Sequence, residues 1–189
     1  ESTAPARAQS ANSPVLGPGE QSTRLLEEIA WGLDYDPLRI FNWVLTKVAY
    51  VPYYGVRQGA HVTALEMQGN DHDQCVLLVS LLKEAGYADS AIRYVEATVS
   101  YSSEAINKWL NWDLAQTAST LEAMGISAGP DGNNVSLKRC MVELVIDGVT
   151  YLLDPGFKNT RRDTPVTVSQ LCATYAASAI STRSEEHTS

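Results

Sequence analysis

The chain has 189 residues, 44% hydrophobic and 19% charged, and no apolar run approaches the roughly 18 to 20 residues that cross a bilayer, which excludes a membrane span and a wholly disordered chain. Fourteen Lys and Arg against 22 Asp and Glu give a net charge of -8. The basic residues are scattered apart from Arg161 and Arg162, so no stripe tracks phosphates and nucleic acid is not an expected partner. Three cysteines, Cys75, Cys140 and Cys172, with no C-x-x-C pair, argue against a disulfide framework and against a zinc ribbon.

The length suits one domain. Residues 1–19 are rich in Ala, Ser, Pro and Gly and read as a linker or disordered N-terminus. Over residues 23–31, Leu25, Leu26, Ile29 and Ala30 recur at helical spacing, with Gly32 as a stop. Asp36-Pro37 offers an N-cap followed by Pro at the first helical position. Leu38, Phe41, Val44, Leu45 and Val48 then continue an apolar face, which predicts a second helix to about Lys47. Residues 50–54 suit a short extended piece or turn, and residues 59–66 a short helix.

Residues 70–86 give the strongest local signal, a nearly all-round apolar helix carrying Val76, Leu77, Val79, Leu81 and Leu82 and ended by Gly86. Such a helix belongs in a core. The β-branched and aromatic run over 91–100 predicts a strand, and two shorter helices are expected over 103–111 and 113–124. A Gly-, Asn- and Asp-rich loop at 129–134 follows. Asp147-Gly148 then joins strands at 138–146 and 149–153 in a type I′ hairpin. Residues 167–178 suit a last helix or the start of a further segment. Residues 183–189 read as translated adapter sequence rather than natural coding sequence, so the expectation is a fragment of a longer protein, cut at about Thr182. Helices first and sheet afterwards, without βαβ alternation or internal repeat, give an α+β class.

Three segments carry a resemblance. They are Gly69-Asn70-Asp71-His72-Asp73-Gln74-Cys75 with the following Leu81-Leu82-Lys83-Glu84-Ala85-Gly86-Tyr87 and Arg93-Tyr94-Val95; then Arg139-Cys140-Met141-Val142-Glu143; and last Leu153-Asp154-Pro155-Gly156-Phe157-Lys158. In this order they resemble the transglutaminase-like superfamily, with its Gly-x-Cys-x-x-x-Ala helix start, His-Val-Trp-Val-Glu strand and Leu-Asp-Pro-Ser-Phe-Lys end. The resemblance spans residues 37–158, within a domain of 20–182, and is closest to members found in large bacterial secreted or surface proteins, some with RHS-type repeats. It implies a papain-like core, a buried central helix on a small antiparallel sheet, and secretion or cell-surface display.

The same alignment puts the family's nucleophilic Cys on Asp71 and its catalytic His on Arg139, and retains Asp154. A carboxylate is a poor nucleophile toward an amide, and a guanidinium has no acceptor site, so these residues do not replace Cys and His in acyl transfer. What survives is the charge order of minus, plus, minus. The expectation is therefore a degenerate, salt-bridged triad in a non-catalytic module that acts in binding or structure. The alternative is a transglutaminase-like acyl transferase, peptidase or hydrolase, with Cys75 as displaced nucleophile or Asp71 as general base and Arg139 as oxyanion stabiliser. Cys75 also reads as a small core residue and His72 as a residue of the solvated helix start.

Trp43, Tyr50, Tyr53, Tyr54, His72 and Met141 are candidates to line the cleft. A peptide, protein or glycan in that cleft and other domains of the same longer chain are the expected partners. No cofactor is expected. No metal is expected either, because Asp71, His72 and Asp73 are consecutive and fan around a helix axis.

Overall fold

Three helices begin where a side-chain oxygen accepts the first free backbone N–H. Thr23 caps α1 (Arg24–Gly32) through Leu26 N, Asp36 caps α2 (Pro37–Lys47) through Arg39 N, and Asn70 caps α4 (Asp71–Glu84) through Asp73 N. The computed structural model describes residues 17, 19–110, 119, 121–123, 128–131 and 134–158. Of the helix expected over 113–124, residues 119 and 121–123 are described and are helical. The expectations for 167–178, for Cys172, for the tail at 183–189 and for all of 1–19 except Gly17 and Gly19 lie outside the described residues.

In chain order the elements are α1, α2, β1 (Ala49–Tyr50), α3 (Gly59–Glu66), β2 (Gln68–Gly69), α4, a 3-10 turn at Asp89–Ala91, β3 (Ile92–Ser102), α5 (Ser103–Leu110), β4 (Ala128–Asp131), β5 (Asn134–Ile146) and β6 (Val149–Leu153). The class is α+β. The two-residue strands β1 and β2 pair in parallel. The larger sheet is antiparallel, with β3 along one edge of β5 from Ile92↔Leu144 to Ser102↔Asn134. The other edge of β5 takes β4 against residues 134–137 and β6 against residues 142–146. Among the described residues, 138–141 have no strand partner on that edge. Asp147 (φ 51°) and Gly148 (φ 77°) form the β5–β6 turn, as a type I′ turn requires of both central residues.

β4 corrects the expected loop over 129–134, and β5 starts four residues before the expected 138. Pairing with β5 holds Gly129 and Pro130 extended despite their turn composition, an instance of tertiary context overriding local preference.

Every residue of α4 except His72 is buried. Leu77, Leu78, Leu81 and Leu82 are fully enclosed, each contributing about 1.5–3 kcal/mol of gross burial. α4 packs between the α1, α2 and α3 layer and the Cys140, Val142 and Leu144 face of β5. The opposite face of the sheet has a second core, in which Val135, Leu137 and Met141 of β5 meet Val99, Tyr101, Ile106, Leu121 and Phe157. Among the described residues no helix is long and apolar enough to cross a membrane.

Candidate functional site: a buried carboxylate–guanidinium–carboxylate cluster

The gap in the β5 edge is closed from α4. Asp71 Oδ2 accepts the Cys140 backbone N–H at 2.8 Å, and the Cys75 thiol donates to the Cys140 carbonyl at 3.3 Å. Residues 71 and 75 stand one turn apart on α4, so one helix face satisfies both backbone groups of Cys140. This is the first reason for a carboxylate at position 71. The second is its place in the first turn of α4, where free N–H groups and the helix dipole favour negative charge.

Arg139 lies on the other face of β5 and is 2% exposed. Its Nη2 donates to Asp154 Oδ1 at 3.0 Å, and its Nε stands 3.7 Å from Asp71 Oδ2, within ion-pair but not hydrogen-bond distance. The three triad positions thus converge. Asp154 follows β6 and is itself nearly saturated: Oδ1 also accepts Gly156 N at 3.0 Å and Phe157 N at 3.1 Å, and Oδ2 accepts the Tyr101 hydroxyl at 3.4 Å. The guanidinium carbon sits 4.6 Å from the Trp109 ring centroid and 5.3 Å from that of Tyr50. Tyr50 touches Trp109 at 4.5 Å between centroids, and Phe157 stacks on Tyr101 at 4.4 Å. Arg139 is therefore enclosed by two carboxylates and an aromatic wall.

Burial works to raise the Asp71 carboxyl, but the His72 hydrogen bond, the Arg139 charge and the Cys140 N–H together hold it down at about 2. Asp71 is an anion at any physiological pH. His72 Nδ1 lies 3.4 Å from Asp71 Oδ1 and its Nε2 3.6 Å from Glu96 Oε1, and the bond to Asp71 lifts the imidazole to about 9 against the opposing effect of burial. The Cys75 thiol is fully buried, and burial pushes it well above the ordinary thiol range.

Lys158 adds a cation that sequence reasoning overlooked. Its Nζ donates to Gln74 Oε1 at 2.5 Å, Pro155 O at 2.5 Å and Val44 O at 3.1 Å, and burial draws it down to about 7. Gly156 is a second overlooked position. A Cβ there would clash with Arg139 Nη2 and stand 3.2 Å from the Asp71 Cα and Cβ.

The cleft-lining expectations divide. Trp43 packs against the core around α4, and Met141 lies in the core on the far face of the sheet. Tyr54 is 68% exposed. Tyr53 serves a different centre, where its hydroxyl donates to Asp73 Oδ2 at 2.5 Å while Asp73 Oδ1 accepts Arg57 N, Gln58 N and Gly59 N, each at 3.2 Å. Asp73 thus organises the loop before α3. Of the aromatic candidates Tyr50 stands at the triad, and the other rings there, Tyr101, Trp109 and Phe157, sit far apart in sequence and share no motif. Of the six candidates, His72 contacts Asp71 and Tyr50 contacts Arg139. Among the described residues no group of three His, Cys, Asp or Glu is arranged to hold a metal ion.

Comparisons with protein-family models, with curated proteins and with solved structures give no match for this chain.

Proposed function

We propose that the chain is a non-catalytic, transglutaminase-like module with a papain-like core, serving a binding or structural role within a larger exported bacterial protein. What supports this reading is the buried cluster itself. The position for a nucleophile holds a carboxylate already engaged by the Cys140 N–H, and the position for a base holds a guanidinium paired with Asp154 at 3.0 Å. Acyl transfer needs a thiolate and a group that moves protons near neutral pH. Asp71, held at about 2, is a weak base, and Cys75, 0% exposed with a raised thiol, is a poor nucleophile. Neither observation favours the enzymatic alternative.

The test is a pair of measurements on the folded chain: amide turnover with glutamine-containing peptides and an amine acceptor, and covalent trapping by an amide-derived electrophile read by intact mass. No turnover and no labelled Cys75 are expected. Rapid stoichiometric labelling of Cys75, with turnover that vanishes in Cys75→Ser, would overturn the reading.

A further inference from the structure

Among the described residues, three N–H donors in the cluster have no hydrogen-bond acceptor: Arg139 Nε, Arg139 Nη1 and Trp109 Nε1. All three atoms are buried, where a donor without an acceptor costs about 1–3 kcal/mol, more when charged. Native proteins rarely leave such groups unanswered. The resident carboxylates are already committed. Asp154 is taken by Arg139 Nη2, Gly156 N, Phe157 N and Tyr101, and Asp71 by Cys140 N and His72.

We propose that Arg139 and Trp109 form the recognition point for the carboxylate of a ligand, one of whose oxygens is received by Arg139 Nη1 and Trp109 Nε1. This deepens the binding role proposed above and rests on it.

Charge favours a carboxylate over a neutral carbonyl. Asp71 and Asp154 are balanced by Arg139 and by His72, whose imidazole is held protonated by Asp71, and Lys158 adds further positive character. Burial raises the Tyr50 phenol above its ordinary range, and Tyr101 turns its hydroxyl to Asp154. An incoming monoanion therefore meets no net repulsion and finds a charge-assisted donor, the stronger kind of hydrogen bond. Tyr50 and Trp109 are both half-buried and both pack on the guanidinium, so their rings form the layer between Arg139 and solvent.

The experiment follows the Trp109 indole and Arg139 side-chain N–H signals in the ¹⁵N-labelled full chain. Sodium acetate is titrated at constant ionic strength, with acetamide as the neutral isostere, and Trp109→Phe both assigns the indole signal and keeps the ring. Acetate should move both signals saturably and acetamide should not. Through Arg139, Trp109→Phe should bind acetate about tenfold more weakly or worse, the factor expected for losing one hydrogen bond to a charged group.

A peptide with a free C-terminal carboxylate and an amidated peptide with one internal Glu are then competed against acetate. The one that displaces it names the source of the carboxylate, and displacement by neither overturns the assignment. So do unmoved signals, equal response to acetamide, unchanged affinity in Trp109→Phe, or an indole N–H that contacts only a retained water. Those failures, with amide turnover still absent, leave the non-catalytic reading intact. Thiol-dependent turnover removes that reading whatever acetate does.

Discussion

Gly156→Ala isolates the fit between the guanidinium and the segment after β6. Replacing Gly by Ala at a position with ordinary backbone angles stabilises a protein by about 0.4–1 kcal/mol, because the unfolded chain loses freedom. Gly156 has no positive φ, so that gain applies here. Against it stands the new Cβ, which would overlap Arg139 Nη2 and press on the Asp71 backbone at 3.2 Å.

Two relaxations are open. Moving the guanidinium off Asp154 breaks a buried ion pair, about 3–5 kcal/mol. Shifting the backbone around a tight contact costs about 1–3 kcal/mol. The cheaper route decides, and after the unfolded-state gain Gly156→Ala should destabilise by roughly 1–2 kcal/mol.

In an Arg139→His background the shorter side chain vacates its contact while the 3.2 Å approach to Asp71 remains, and the same substitution should cost about 1 kcal/mol less. Urea denaturation of the four proteins at neutral pH gives the coupling, expected at about 1 kcal/mol or more. Equal costs of Gly156→Ala in both backgrounds, within about 0.3 kcal/mol, would refute the argument that Arg139 is what forbids a side chain at 156.

pH should act from both sides of neutrality. The Asp71 carboxyl is lowered from 3.8 to about 2, so its stabilisation is complete above pH 4, worth about 2 kcal/mol, and is lost as the pH falls through 2. Urea midpoints measured between pH 5 and pH 2 should show this slope, and Asp71→Asn should flatten it. The His72 imidazole is raised from 6.5 to about 9, so its contribution is complete below 6.5 and is lost as the pH rises through 9. With the side chain 31% exposed, screening reduces it to about 1 kcal/mol. An NMR titration of His72 that returns an ordinary imidazole value would remove this effect. Asp73→Ala removes the acceptor of the bonds donated by Tyr53 Oη, Arg57 N, Gln58 N and Gly59 N, and should cost about 2–4 kcal/mol. Hydrogen exchange should then report lost protection at the Arg57, Gln58 and Gly59 amides, and unchanged protection there would contradict the role given to Asp73.

Much of this was legible because the signals are local. Thr23, Asp36-Pro37 and Asn70 mark helix starts by their own hydrogen bonds, and Asp147-Gly148 marks a turn by its tolerance of positive φ. The convergence of Asp71, Arg139 and Asp154 followed from the order of three segments rather than from periodicity. What escaped was decided by partners distant in the chain. β4 exists through pairing with β5, β1 and β2 are two residues each, and the aromatic wall draws on β1, β3, α5 and the segment after β6. Nothing local marks Gly156, and only the position of Arg139 shows the crowding that a side chain there would meet.

Side chains alternate along β5, with Cys140, Val142 and Leu144 facing α4 and Leu137, Arg139 and Met141 facing the second core. A one-residue slip of β5 exchanges the two sets. For the apolar residues the exchange is mild, since both faces are packed and several side chains are close in size. For Arg139 it is severe: the guanidinium would leave Asp154 and its aromatic wall, and breaking that buried ion pair costs about 3–5 kcal/mol. A strand whose hydrophobic pattern distinguishes its two faces poorly thus contains one residue that distinguishes them well. The pairing of Arg139 with Asp154 favours the observed register of β5 over those one residue away.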